Sequence, residues 1–161
     1  MQIRAAVLVT SDRIAKGLEE DRSGKRAAEL LGQVADVAET RVLPDDVHSI
    51  GECLRQWCAE GMDLIVTVGG TGLGPRDVTP EATLSVLERE APGISAALLV
   101  EGLKSTPRAM LSRAVAGVNG RTLIVNLPGS TSAVEEGMAC LMPVLPHAFE
   151  VLRGEPEPYE E

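Results

Sequence analysis

Two short runs of apolar, largely β-branched residues constrain the fold more than any other feature of the sequence. Residues 3–10 read IRAAVLVT, and residues 62–70 read MDLIVTVGG. Runs that are apolar at consecutive rather than alternate positions are typical of strands buried on both faces, and such strands occur mainly in parallel sheets. The two runs therefore predict an α/β fold in which helices cover both sides of a sheet.

Helical patterns separate the predicted strands. Apolar residues recur at helical spacing, with proline, glycine or capping side chains at the ends, in residues 25–33, 44–60, 79–90 and 94–105, and again after residue 130. Thr79 is expected to cap the third of these helices. Residues 34–43 form a predicted second strand, and residues 11–24 a loop.

A hairpin completes the predicted sheet. Asn119-Gly120 lies between two alternating runs within residues 114–127, which is a strong hairpin pattern. The predicted architecture is a three-layer αβα sandwich with a mostly parallel sheet and one antiparallel hairpin strand. We expect residues 1–154 to form a single domain and the acidic residues 155–161 to form a disordered tail.

Composition argues against several classes of partner and site. The chain of 161 residues has a formal net charge of −9 and no basic cluster, which disfavours nucleic acid and anionic membranes as partners. No apolar run could span a bilayer, and the first residues lack a signal-peptide pattern, so a cytoplasmic protein is expected. Cys53, Cys58 and Cys140 form no C-x-x-C motif, which favours buried side chains over disulfides or zinc.

A glycine-rich loop follows the second apolar run directly. Residues 67–80 read TVGGTGLGPRDVTP. The loop fits neither standard nucleotide motif, because Pro75 stands where a P-loop has lysine and where the dinucleotide fingerprint has its third glycine. Bare backbone amides in such a turn can surround an oxyanion, but a tight turn that only requires positive φ angles shows the same pattern. Both interpretations remain open on the spacing alone.

Asp77, within this loop, raises the question of what a carboxylate does beside an anion site. Parallel strands end at one edge of a sheet, where ligands bind. This rule places Asp77 near Ser11 and Asp12, which follow the first strand, and near Asp45, which follows the second. Three aspartates on one rim suggest Mg²⁺, with Asp45 as the candidate ligand. Taken alone, Asp77 is better explained as a helix cap.

Two further anion contacts are candidates. Residues 126–130 read NLPGS and precede a predicted helix, so the amides of Gly129 and Ser130 would point at an anion. An ordinary serine cap explains this turn equally well. Arg76 lies inside the glycine loop of an acidic chain, which makes it the candidate for a phosphate contact.

Several segments together resemble one known family. GGTGLGPRDVTPEAT (69–83) is preceded by VLPDD (42–46) and followed by PGISAAL (92–98), AMLSRAVAG (109–117) and TLIVNLPGS (122–130). In this order they resemble the MogA/MoaB family of molybdenum-cofactor biosynthesis, which includes the G domain of gephyrin. The resemblance extends over residues 3–154.

The resemblance implies a three-layer α/β fold, a homotrimer and binding of molybdopterin. Catalytic members transfer AMP from Mg-ATP to the terminal phosphate of molybdopterin and release pyrophosphate. ATP and molybdopterin are therefore the implied substrates, Mg²⁺ the implied cofactor, and a molybdenum insertase the implied recipient of the product.

The resemblance also implies roles for individual residues. Asp45 resembles the aspartate that is essential for catalysis, and Asp77 resembles the one that holds the pterin. The nucleotide and phosphate cradle is implied at Gly69, Gly70, Thr71 and Gly72. Further parts of the same pocket are implied at Ser11, Asp12, Asn126, Pro128, Gly129 and Ser130.

Three other functions remain open. One is a MoaB-type protein that binds molybdopterin without adenylylating it. Another is a binding or scaffold module, a role that the G domain of gephyrin also has. Flavin binding is disfavoured, because Trp57, Phe149 and Tyr159 are the only aromatic residues that could sandwich the ring.

Overall fold

Six strands form one sheet in the computed structural model, which describes residues 2–155. They are β1 (Arg4–Thr10), β2 (Asp36–Leu43), β3 (Leu64–Val68), β4 (Arg89–Glu90), β5 (Ala116–Asn119) and β6 (Thr122–Leu127), and they lie in the order β2-β1-β3-β6-β5-β4. The first four in that order are parallel, whereas β5 is antiparallel to both β6 and β4. The prediction of a mostly parallel sheet with one antiparallel hairpin strand is confirmed.

Helices cover both faces of this sheet. They are α1 (Asp12–Ala15), α2 (Ser23–Leu31), α3 (Val47–Ala59), α4 (Thr79–Leu84), α5 (Pro92–Ser105), α6 (Thr131–Leu141) and α7 (Leu145–Leu152), with 3-10 helices at Pro107–Leu111 and Met142–Val144. Side chains of α3 and α4 pack on one face, and those of α2, α5, α6 and α7 pack on the other. The predicted three-layer sandwich is confirmed.

Two apolar cores explain the consecutive apolar positions in the strands. Val7 and Val9 of β1 point into the core beneath α2 and α6, whereas Ala6 and Leu8 point into the core beneath α3. Because successive side chains alternate between faces, a strand covered on both faces must be apolar at every position.

The helix predicted over residues 79–90 is wrong in its second half. α4 ends at Leu84, and Arg89–Glu90 instead pairs with Val118 and Gly117 at the free edge of β5. Backbone groups at that edge need hydrogen-bond partners, and this requirement outweighs the local helical pattern.

Thr79 is not the cap of α4, contrary to the prediction. The residue before the helix is Val78, and Thr79 is buried as the first helical residue. Its Oγ1 lies 2.8 Å from Oγ1 of Thr10 in a buried hydrogen bond that joins α4 to the end of β1. The hydroxyl therefore serves a tertiary contact rather than the local cap.

The remaining boundaries differ from the predictions by a few residues. The predicted loop 11–24 contains the short helix α1, and α2 begins two residues earlier than expected. The hairpin turns at Gly120, whose φ is 58°, as its pattern predicts. Of the predicted tail, residues 156–161 lie outside the described part of the chain.

The cysteines are free, and Cys53 is buried. Burial raises the pKa of Cys53 to about 11, so this thiol remains protonated at neutral pH. Across residues 2–155, no helix is both long enough and apolar enough to cross a membrane.

Candidate active site

Four turns meet at the carboxyl edge of the sheet, as the strand order requires. Parallel pairing places Val9 opposite Val68, and Val68 opposite Leu127. The turns after β1, β2, β3 and β6 surround two adjoining cavities of about 860 Å³ and 640 Å³, which we name cavity A and cavity B. This edge is where ligands bind in open α/β sheets.

The two cavities share a wall. Of the predicted site residues, those lining cavity A are Gly70, Thr71, Gly72, Asp77, Asn126, Pro128, Gly129 and Ser130. Those lining cavity B are Ser11, Asp45, Gly69, Gly70, Asp77, Gly129 and Ser130. Four residues therefore line both cavities, namely Gly70, Asp77, Gly129 and Ser130. Asp12 and Arg76 line neither cavity.

Gly69 and Gly70 begin the glycine loop with φ values of 100° and 65°. Gly69 N–H donates to Leu127 O at 3.0 Å, and Thr79 N–H donates to Gly70 O at 3.2 Å. A Cβ on Gly70 would lie 2.8 Å from Thr10 Oγ1 and closer still to Thr79 Oγ1. At Gly70, both the backbone conformation and the lack of space require glycine.

We expect Gly70→Ala to destabilise the protein by about 2–5 kcal/mol, through left-handed strain and overpacking together. Gly61→Ala is the matched control, because Gly61 has a φ of 81° but no atom within 4 Å of the added Cβ. Urea denaturation of both variants gives the difference in unfolding free energy. Equal losses in the two variants would show that the loop can accommodate the methyl group.

Asp77 is held by its own loop. Gly74 N–H donates to Asp77 Oδ2 at 2.9 Å, and Asp77 N–H donates to Gly74 O at 3.0 Å. Cβ atoms on Gly72 and Gly74 would lie 2.9 and 2.8 Å from Oδ2, so the absence of side chains there makes room for the carboxylate. Within residues 2–155 no group donates to Asp77 Oδ1, which leaves that oxygen available as an acceptor.

Asp45 and Asp12 exchange hydrogen bonds. Asp12 N–H donates to Asp45 Oδ2, and Asp45 N–H donates to Asp12 Oδ1, both at 3.0 Å. Arg76 binds the Asp12 carboxylate with two donors, Nε to Oδ2 at 3.0 Å and Nη2 to Oδ1 at 3.2 Å. This guanidinium lowers the pKa of Asp12. Arg76 and Asp12 thus support Asp45 from outside the cavities.

Asp45 Oδ1 is buried and has no hydrogen-bond partner among the described residues. Burial raises the pKa of Asp45, and the nearby charges of Asp12 and Asp77 also raise it, whereas the Asp12 N–H opposes them. An unpartnered buried carboxylate oxygen is unfavourable in the protein alone. Because Asp45 lines cavity B, its carboxylate is the candidate acceptor for a ligand donor or a cation that binds there.

The suggested cluster of three aspartates around one cation is not formed. No group of three or more His, Cys, Asp or Glu side chains within residues 2–155 is placed to hold a metal ion. Asp12 is paired with Arg76, and Asp77 Oδ2 accepts from Gly74. Two oxygens of the three carboxylates, Asp45 Oδ1 and Asp77 Oδ1, accept no hydrogen bond from the described residues. One or two carboxylates are enough for a Mg²⁺ ion whose other ligands are phosphate and water.

Asn126 is engaged in structural hydrogen bonds. Its Nδ2 donates to Thr67 Oγ1 at 2.8 Å and to Thr83 Oγ1 at 3.0 Å, and its Oδ1 accepts from Val115 N–H at 3.2 Å. The residue is 1% exposed, so it forms the floor of cavity A and ties β6 to β3 and α4. Ser130 caps α6 by accepting from Ala133 N–H at 3.2 Å, while also lining both cavities.

Two parts of the site are not identified by the sequence patterns. Arg113 donates to the backbone carbonyls of Gly72 and Asp77 in the glycine loop. It lies in the AMLSRAVAG segment, whose resemblance to the family could have drawn attention to it. α5 and the 3-10 helix that follows it form one wall of cavity A, through Leu98, Leu99, Ser105, Thr106, Arg108 and Leu111.

Comparison with known proteins identifies the family. The sequence profile of the MoCF_biosynth family, described as "Probable molybdopterin binding domain", matches residues 6–147. Molybdopterin adenylyltransferase of Helicobacter pylori is 37% identical over 94% of this chain and 89% of its own length. Gephyrin of Dictyostelium discoideum is 38% identical over 94% of this chain, which spans only 23% of that relative.

A solved structure extends the comparison. The molybdopterin biosynthesis enzyme MoaB from Thermus thermophilus is 45% identical and superposes with a TM-score of 0.89, over 96% of this chain and 99% of that one. The profile match covers most of the chain and includes the loops that form both cavities. The chain therefore belongs to the molybdopterin-binding family of molybdenum-cofactor biosynthesis proteins.

Proposed function

We propose that the chain is a molybdopterin adenylyltransferase, which transfers AMP from Mg-ATP to the terminal phosphate of molybdopterin and releases pyrophosphate. The observation that carries this proposal is Asp45 Oδ1, a buried acceptor without a partner among the described residues, on a side chain that lines one of two cavities with a common wall. Two adjoining cavities suit a reaction between two substrates. The name of the Helicobacter pylori relative supports the same reaction.

Cavity A suits the pterin. Its walls include the apolar side chains of Leu98, Leu99 and Leu111 together with the carboxylate of Asp77. A flat heteroaromatic ring with N–H donors requires apolar contact and a few placed acceptors. Asp77 Oδ1 would accept from the ring, so the carboxylate in the glycine loop faces a hydrogen-bond donor rather than a phosphate.

Cavity B suits a metal-bound triphosphate. Four carboxylates, Glu19, Glu20, Asp45 and Asp77, line it together with the guanidinium of Arg22. A bare polyphosphate would be repelled by this charge, so a cation must accompany it. When bound, Mg²⁺ would neutralise phosphate charge, with Asp45 Oδ1 as one of its ligands. The amino terminus of α6 opens on the same cavity and favours an anion.

The proposed chemistry needs no covalent intermediate on the protein. An oxygen of the terminal pterin phosphate attacks the α-phosphorus of ATP. The bond from that phosphorus to the bridging oxygen of the β-phosphate breaks, and pyrophosphate leaves with the electron pair. The protein contributes position and charge: Asp77 orients the pterin, Asp45 faces the nucleotide, and the Gly70 backbone separates them.

The proposal is tested by incubating the purified chain with molybdopterin, ATP and Mg²⁺ and separating the products by chromatography. We expect adenylylated molybdopterin, and none of it when EDTA replaces Mg²⁺. Bound pterin without product would indicate a MoaB-type binding protein instead. No pterin binding at all would contradict a role in this pathway.

We also propose that the chain forms a homotrimer and passes its product to a molybdenum insertase. α5 exposes Leu99, Val100 and Leu103, and Met110 follows them at 63% exposure. Several large apolar side chains exposed on one helix are typical of a protein interface. Light scattering after gel filtration should give the mass of three 17.0 kDa chains. A monomer at micromolar concentration would contradict the trimer.

A further inference from the structure

Arg113 binds the outer side of the glycine loop at several points. Its Nε donates to Gly72 O at 2.8 Å, and its Nη2 donates to Asp77 O at 2.7 Å. Its own backbone N–H donates to Thr71 O at 2.7 Å. The third guanidinium nitrogen, Nη1, pairs with the carboxylate of Glu81 in the first turn of α4. One residue therefore holds both ends of the loop and the helix that follows it.

These contacts fix the orientation of three peptide groups. No cis peptide occurs among the described residues, and in a trans peptide the C=O and N–H point in opposite directions. Each carbonyl that accepts from Arg113 therefore directs the N–H of the following residue away from Arg113. The N–H groups oriented in this way are those of Gly72, Leu73 and Val78. Thr71, Gly72 and Asp77 line cavity A, so Arg113 determines the shape of that wall without lining either cavity itself.

A loop of this composition needs such a restraint. Four glycines lie within residues 69–74, and glycine loses more conformational freedom on ordering than any other residue. A guanidinium presents donors in a fixed planar fork that can satisfy two carbonyls and a carboxylate at once. A lysine ammonium is a single point and cannot span Gly72 O, Asp77 O and Glu81 together.

We propose that Arg113, supported by Glu81, is a positioning residue that holds the glycine loop in the form that binds pterin through Asp77. The proposal rests on the function assigned above to cavity A. Cavity B also takes Gly70 and Asp77 from this loop, but Asp45 Oδ2 accepts from Asp12 N–H, a contact that does not involve Arg113. Loss of Arg113 should therefore impair the pterin site more than the nucleotide site.

The test compares Arg113→Ala and Arg113→Lys with Arg55→Ala, using the full chain. Arg55 is the matched control, because it binds Glu52 and the Ser85 hydroxyl next to α4 but lines neither cavity. Three quantities are measured for each protein: the Kd for molybdopterin, the Kd for Mg-ATP, and amide hydrogen exchange in residues 70–78 against residues 64–68. Adding millimolar guanidinium to Arg113→Ala tests for chemical rescue, far below denaturing concentrations.

We expect Arg113→Ala to weaken pterin binding by about 10- to 100-fold and to weaken Mg-ATP binding by a clearly smaller factor. Exchange should rise in residues 70–78 but not in β3, guanidinium should restore part of the pterin affinity, and Arg113→Lys should recover little. Arg55→Ala should match wild type in both affinities.

Two results would overturn the proposal: a pterin Kd that Arg113→Ala leaves unchanged, or equal losses for both ligands with faster exchange throughout β3. If wild type itself binds no pterin, the proposed function fails. Amide hydrogen exchange of residues 70–78 in the ligand-free protein then tests only whether Arg113 restrains the glycine loop.

Discussion

The Asp45→Asn variant is expected to bind molybdopterin as tightly as wild type and to form adenylylated product about 10³-fold more slowly. Asp45 lines cavity B but not cavity A, so the pterin contacts remain intact. The amide can still accept from Asp12 N–H, as Asp45 Oδ2 does at 3.0 Å. It places no negative oxygen at the buried position of Oδ1, so the metal-bound phosphates lose their charged partner.

The same substitution is expected to stabilise the fold at about pH 7. Burial raises the pKa of Asp45, so the folded protein accommodates the charged carboxylate less well than the unfolded chain does. A carboxyl group whose pKa is higher in the folded state stabilises that state fully when the pH is below its pKa in the unfolded chain. This stabilisation is lost as the pH rises through its pKa in the folded protein. The neutral amide avoids that loss, so the gain in melting temperature should shrink towards about pH 3.

Asp46→Ala is the matched control for both expectations. Asp46 is the next residue, lines neither cavity, and caps α3 by accepting from Ser49 N–H at 2.8 Å. Its loss should lower stability and leave the rate of adenylyl transfer unchanged. A wild-type rate in Asp45→Asn, or a melting temperature below that of wild type, would contradict the role given to Oδ1.

The second large effect is expected at Asp77. Asp77→Asn should weaken molybdopterin binding by about 10²- to 10³-fold, as expected when one partner of a charge-assisted hydrogen bond that the ligand covers is removed. The amide oxygen can keep the bond from Gly74 N–H, so the loop stays folded. The amide nitrogen then occupies the place of Oδ1 and presents a donor to a ring N–H that needs an acceptor.

Calorimetric titration with molybdopterin and with Mg-ATP measures this effect. Asp63→Asn serves as the control, because Asp63 accepts from Arg4 N–H at 2.8 Å at the opposite end of the sheet and lines neither cavity. That variant should bind both ligands like wild type. Unchanged pterin affinity in Asp77→Asn would place the pterin outside cavity A.

The meeting of the four turns was predictable, because it depends on local patterns and one general rule. Residues 3–10 and 62–70 predict buried parallel strands, and parallel strands bring their carboxyl ends to one edge. β4 was not predictable in the same way. Arg89–Glu90 follows a helical pattern, and only the unpaired edge of β5 and the absence of a side chain at Gly117 draw it into the sheet.

The partners of individual charged residues required the structure. Asp12 and Arg76 are 64 residues apart in the chain, and Arg113 is 41 residues from Gly72. Such pairs depend on how distant elements pack, and no spacing in the sequence encodes them. The loop glycines are a separate, local case. Their pattern suggests a phosphate cradle, and the structure adds that Gly72 and Gly74 make room for the Asp77 carboxylate.

The most direct test of adenylyl transfer is the fate of a phosphorus label. The chain is incubated with molybdopterin, Mg²⁺ and ATP that is labelled either at the α- or at the γ-phosphorus, and the label on the pterin is counted. The α-label should move to the pterin, and the γ-label should be released as pyrophosphate. Transfer of the γ-label would show a kinase, and transfer of neither label by a chain that binds pterin would show a carrier.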